Sequence, residues 1–121
     1  MDSALLAKLR HLDAVINETL RLLFPWPSGF QSSIPPEGLL VGDTFIPRNT
    51  NDQVSIYSVF RDERNLKQPN EFIPERWITR TDLVTESSRA SFMPFFSGSL
   101  GCPGRLMALA QIRYLVAAVF S

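Results

Sequence analysis

The run Phe95-Phe96-Ser97-Gly98-Ser99-Leu100-Gly101-Cys102-Pro103-Gly104 sets the only cysteine of a 121-residue chain in a glycine-punctuated loop, just ahead of a long apolar segment. Glycines around one sulfur allow turns and close approaches that a side chain would block. A helix that starts just after the sulfur presents unpaired N–H groups and the positive end of its dipole to it. Both effects favour thiolate over thiol. A sulfur held in this way can serve as a nucleophile or as a metal ligand.

By general tendency a lone cysteine is a small buried hydrophobe. Cys102 departs from that tendency because it lies outside any helical or strand period, between Phe-x-x-Gly-x-x-x and Pro-Gly. Nucleophilic catalysis is poorly supported, since the only histidine, His11, sits far away on the N-terminal helix and no base is paired with the sulfur by spacing. His11 reads as a surface or structural residue. One Cys and one His cannot supply a tetrahedral zinc site. What remains is a metal whose other ligands come with a cofactor, which points to haem on a single axial thiolate.

The elements that must position this loop can be read from periodicity. Leu5, Leu9, Leu12, Ile16, Leu20 and Leu23 recur at spacings of three and four, the pattern of an amphipathic helix that Pro25 and Pro27 end. Glu18 and Arg21 lie opposite that leucine stripe, so pattern alone predicts an exposed ion pair. Leu39-Leu40-Val41 and Thr44-Phe45-Ile46 flank Gly42-Asp43 and predict a β-hairpin, and Gln53 to Tyr57 alternates as a further strand would. From Asp62 to Ala90 the chain is polar and lacks a period, which predicts an irregular meander with short helical turns, pinned to the core by Phe72 and Trp77. Leu106 to Phe120 forms a long apolar helix read as core packing, with Pro103 suited to its first turn.

Composition bounds the function classes. With 45% hydrophobic residues and a formal net charge of zero, the chain is neither disordered nor equipped with the basic footprint of nucleic-acid binding. A single cysteine forms no internal disulfide, which is compatible with an intracellular location. No apolar stretch reaches the ~18 to 20 residues of a membrane span, so neither a span nor a signal peptide is expected. The length suits one domain.

Three motifs in fixed order then carry a resemblance. Phe95-x-x-Gly98-x-x-x-Cys102-x-Gly104 resembles the haem-binding signature of cytochrome P450 monooxygenases. Glu18-Thr19-Leu20-Arg21 is similar to the family's Glu-x-x-Arg motif on its K helix, and Pro74-Glu75-Arg76-Trp77 to the Pro-Glu-Arg-aromatic element that follows. Phe45-Ile46-Pro47 and Phe60-Arg61-Asp62 fall between them as the family pattern expects, and the resemblance, closest to fungal members, runs from about Leu9 to the C-terminus.

The resemblance implies an α+β part of the mainly-α cytochrome P450 fold: a K-type helix, a small β-sheet, the irregular meander, the cysteine loop and an L-type helix. Residues 1–121 would form a single partial domain, the C-terminal haem-binding portion, without the N-terminal portion and the oxygen-activating helix. It implies that Cys102 is the axial thiolate, whose electron donation favours O–O cleavage. Phe95 would shield the sulfur, loop N–H groups would hydrogen-bond it, and Gly98 and Gly104 would permit the turn and the approach of the porphyrin. It also reverses the reading of Glu18 and Arg21, which become a buried structural network with Arg76.

Two departures stand out. Leu100 occupies a position where the family usually has Arg or His, and Ser32 lies where a second cation is often found, both for haem propionates. Residues Gly29 to Ser33 are expected to approach the haem and substrate pocket. The family further implies a flavoprotein reductase as electron donor, with Arg105 and Arg113 as candidate docking residues, a small organic substrate, and frequent anchoring to the endoplasmic reticulum membrane. The alternative to a monooxygenase portion is a non-catalytic remnant serving as a structural or interaction element.

Overall fold

The computed structural model describes residue 6, residues 8–64 and residues 66–120. Helix α1, Arg10–Leu22, is followed by strands β1 (Gln31–Ser33), β2 (Leu39–Val41), β3 (Thr44–Ile46) and β4 (Asn51–Gln53). A one-turn helix α2 (Ile56–Val59) leads into coil with 3-10 turns at Pro74–Trp77 and Thr81–Leu83. Helix α3 (Glu86–Ser91), a 3-10 turn at Gly98–Leu100 and the long helix α4 (Arg105–Phe120) complete the described order.

The expected hairpin is present: β2 and β3 pair antiparallel with Leu40 opposite Phe45 and Val41 opposite Thr44. The single small sheet is instead two separate two-stranded sheets, because β1 pairs with β4 around that hairpin, with Ser32 opposite Asp52. Ile34 N–H donates to Thr50 O at 2.9 Å and prolongs the β1–β4 ladder. The strand expected over Gln53 to Tyr57 is corrected to a strand that ends at Gln53 and a helix that begins at Ile56. Ser55 causes the switch, since its hydroxyl accepts from Ser58 N–H and caps the helix start.

Burial on α1 also differs from the leucine stripe. Its buried residues are Ala14, Ile16, Glu18 and Arg21, whereas Leu9 and Leu23 are exposed and Leu5 lies outside the described residues. The Pro74–Trp77 turn packs on the Glu18/Arg21 face, and α4 reaches another face of the helix around Ile16, Thr19 and Leu20 and through Arg113 to Asp13. Burial is decided by which partner arrives, and here it is a polar turn rather than an apolar helix.

The meander behaves as expected in outline, with an isolated bridge between Leu66 and Val84 and a small core of Leu66, Leu83, Val84 and Ile73. Phe72 is 52% exposed, too open for the core anchor expected of it; Trp77 is half-buried and packs on Phe92 at 4.5 Å. Helix α4 has no fully buried residue, so among the described residues the core packing expected for it is made only in part, by Ile112 and Val116 against α1. His11 is exposed, as expected for a surface residue.

Candidate functional site

Two arrangements position the chemistry-bearing residues. The first is ionic. Glu18, Arg21 and Arg76 are the most deeply buried large side chains, each no more than 1% exposed. Glu18 Oε1 accepts from Arg21 Nη2 at 2.9 Å, Arg76 Nε at 3.0 Å and Ile73 N–H at 3.0 Å. Its Oε2 accepts from Arg21 Nε at 3.0 Å and the Trp77 indole at 2.9 Å. The remaining guanidinium donors go to main-chain carbonyls: Arg21 to Phe60, Pro69 and Glu71, and Arg76 to Lys67 and Gln68.

Three buried charges are tolerated only if every donor and acceptor is used. Among the described residues no buried side-chain nitrogen or oxygen lacks a partner. Burial pushes the Glu18 carboxyl up, but the hydrogen bonds from Arg21, Ile73 and Trp77 and the Arg21 charge outweigh it and hold it below the ordinary carboxylate value. The exposed pair that pattern alone predicts is therefore corrected: Glu18 and Arg21 tie α1 to a coil about 50 residues further along the chain.

The second arrangement is aromatic. Trp26 packs on Phe30 at 4.8 Å, Phe30 on Phe96 at 4.7 Å, Phe96 on Phe24 at 6.2 Å and Phe24 on Phe60 at 5.6 Å. Phe60 then meets Phe92 at 5.1 Å, and Phe92 meets Trp77. These rings join the cysteine loop, through Phe96, to the ionic cluster, through Trp77. Sequence reasoning missed this chain of rings, since aromatic residues so far apart in sequence carry no period.

The loop itself is fixed by Cys102 N–H donating to Phe95 O at 2.9 Å and Gly101 N–H to Gly98 O at 3.1 Å. Gly98 has φ +61°, the left-handed region in which glycine is favoured. A Cβ on Gly104 would stand 3.8 Å from Cys102 Sγ, an ordinary contact, so nothing among the described residues requires glycine there. Phe95 is half-buried, Cys102 is exposed, and helix α4 starts three residues after the sulfur. Cys102 O accepts from Arg105 N–H at 3.3 Å. Arg105 is exposed, but Arg113 donates to Asp13 at 2.7 Å and ties α4 to α1 instead of standing free on the surface.

Among the described residues no group of three or more His, Cys, Asp or Glu side chains could hold a metal ion. A solitary, exposed thiol fits a metal that brings its other ligands with it, as haem does. The opposite wall fits haem less well. Ser32 and Leu100, the two positions where cations are expected, line one cleft together with Asp52, and the Ser32 hydroxyl donates to Asp52 Oδ1.

An α+β chain with short antiparallel sheets, a buried Glu-x-x-Arg pair locked to a Pro-Glu-Arg turn, and an exposed thiol in a glycine loop is a constellation that comparison can place. The family model for cytochrome P450 matches residues 1–121, and the chain belongs to that family. It is 47% identical over 116 residues to the cytochrome P450 monooxygenase phqL of Penicillium fellutanum, covering 96% of this chain and 20% of that protein. It is 50% identical over 108 residues to the cytochrome P450 monooxygenase orf5 of Eupenicillium brefeldianum, covering 89% and 22%. To the tryprostatin B 6-hydroxylase of Aspergillus fumigatus it is 45% identical over 112 residues, covering 93% and 20%. The chain thus spans about a fifth of the length of the curated relatives it matches.

Proposed function

We propose that residues 1–121 form the haem-binding portion of a cytochrome P450 monooxygenase, a single partial domain in which α1 serves as the K-type helix and α4 as the L-type helix. The observation that carries this reading is Cys102, a solitary exposed thiol whose loop is pinned by its own N–H to Phe95 O at 2.9 Å. Cys102 Sγ would be the axial ligand, Phe95 would limit water around it, and Gly98 and Gly104 would let the loop turn and approach the macrocycle. When bound, haem supplies the iron at which molecular oxygen is reduced and a small organic substrate oxidised.

The chain's own residues supply position. Glu18, Arg21 and Arg76 hold the 60–77 coil against α1, and the ring sequence from Trp77 to Phe96 extends that rigidity to the thiol loop. A flavoprotein reductase would deliver electrons on the Cys102 side, with Arg105 as an exposed cation there; the location would be intracellular. Among the described residues no helix is long and apolar enough to cross a membrane.

The test is the ferrous carbon-monoxide difference spectrum after haem addition. A strongly red-shifted Soret band that disappears in Cys102→Ser is the expected outcome. A band that survives the substitution unchanged rules Cys102 out as the ligand.

A further inference from the structure

The cleft beside the thiol loop carries a charge of the wrong sign for an acidic ligand. It is a cavity of about 300 Å³ between the β1–β4 pair and the loop, lined by Phe30, Val54, Phe96 and Leu100 on its apolar side. Phe96 and Leu100 bring the thiol loop to the cavity, Leu100 lying two residues before Cys102 in sequence. Ser32 and Asp52, directly opposite each other in the β1–β4 register, are part of its polar lining. No lysine or arginine lines it, and among the described residues none pairs with Asp52. One Asp52 oxygen accepts from the Ser32 hydroxyl.

We infer that Asp52 sets the charge selectivity of this cleft, admitting the neutral or N–H-bearing edge of a flat apolar ligand and opposing a carboxylate. The inference rests on the haem-thiolate reading. Haem is a flat apolar macrocycle with two carboxylates on one edge, and one held on Cys102 would bring acidic groups toward the cleft that Ser32, Asp52 and Leu100 line. An acid brought there meets a second carboxylate and no cation, and like charges at close range repel. Asp52 is therefore a specificity residue that weakens the binding of acidic macrocycles and spares esterified ones.

The experiment titrates the full chain and its Asp52→Asn form with haemin and with haemin dimethyl ester, which lacks the two carboxylates. Binding is read from the Soret band and from quenching of tryptophan fluorescence, Trp26 standing against the cleft residue Phe30 at 4.8 Å. Asparagine keeps an acceptor for the Ser32 hydroxyl, so the β1–β4 pair is retained. Asp52→Asn should bind haemin about three- to fivefold more tightly, the weight of one partly exposed charge interaction, and the ester unchanged. Leu100→Arg, at a position 51% exposed and so tolerant of change, should tighten haemin about tenfold by a charge-assisted hydrogen bond, again sparing the ester.

Equal haemin affinity in the parent, Asp52→Asn and Leu100→Arg forms overturns the inference, as does an equal gain for the ester. A band that depends on Cys102 but not on Asp52 sinks this inference alone. If neither porphyrin gives a Cys102-dependent band in any form, the haem reading falls and takes the inference with it.

Discussion

Glu18 accepts from three residues far along the chain, Ile73, Arg76 and Trp77, besides its helical neighbour Arg21. Its carboxylate is the one negative charge between two buried guanidinium groups, so removing it leaves both uncompensated. Glu18→Gln should cost about 3 to 5 kcal/mol of stability, the usual consequence of breaking a buried pair. The pH dependence follows from the direction of the shift. The folded carboxyl lies below its ordinary value of 4.5, so the unfolded chain takes up the proton first as pH falls. The contribution is fully present above 4.5 and is lost as pH drops through the folded value. Urea midpoints measured at neutral pH and stepwise below 4.5 should decline in the parent and decline less in Glu18→Gln. A parent midpoint that stays flat over that range contradicts the assignment.

At the scale of elements, the β1–β4 pair is held to the start of α2 by a close approach at Gly29. A Cβ there would stand 2.2 Å from Val54 O, and φ is +77°, where other residues are strained. Gly29→Ala should therefore destabilise the chain by about 1 to 3 kcal/mol and loosen the cleft that β1 and β4 border, seen as a lower thermal midpoint and faster amide exchange at Ser33 and Gln53. An unchanged midpoint would show that Val54 moves freely.

Legibility divided along the same elements. The hairpin at residues 39–46 was readable because its turn signal and strands are adjacent. The end of α1 was readable from its prolines. The stretch from Gln53 to Tyr57 was not, because alternation in a short run is outweighed by one capping serine. Burial of Glu18 and Arg21 was invisible to periodicity and legible only through family resemblance, since it depends on carbonyls about 40 to 50 residues away. Asp52 escaped notice because its relation to Leu100 exists only once the loop and the β1–β4 pair border the same cleft.

The whole molecule is short of cover. A compact chain of 121 residues exposes about 6,600 Å², whereas this one exposes 8472 Å², an excess of about 1,900 Å². A standard interface takes only about 800 Å² from each partner, so the excess is more than twice one such patch, as the proposed partial domain would leave. Much of it is apolar: on α4, Leu106, Met107, Leu115, Val119 and Phe120 are 65–85% exposed. That fits a chain spanning about a fifth of its relatives' length, whose remaining four-fifths would supply the missing partners. Alone in solution, the chain should bind an apolar fluorescent dye strongly and sediment with a mass that rises with concentration. Joining it to the upstream segment of a relative such as phqL should suppress both effects by covering α4. A dye-silent, strictly monomeric 121-residue chain would mean that α4 folds back onto its own sheets in solution, and the partial-domain reading would not survive that result.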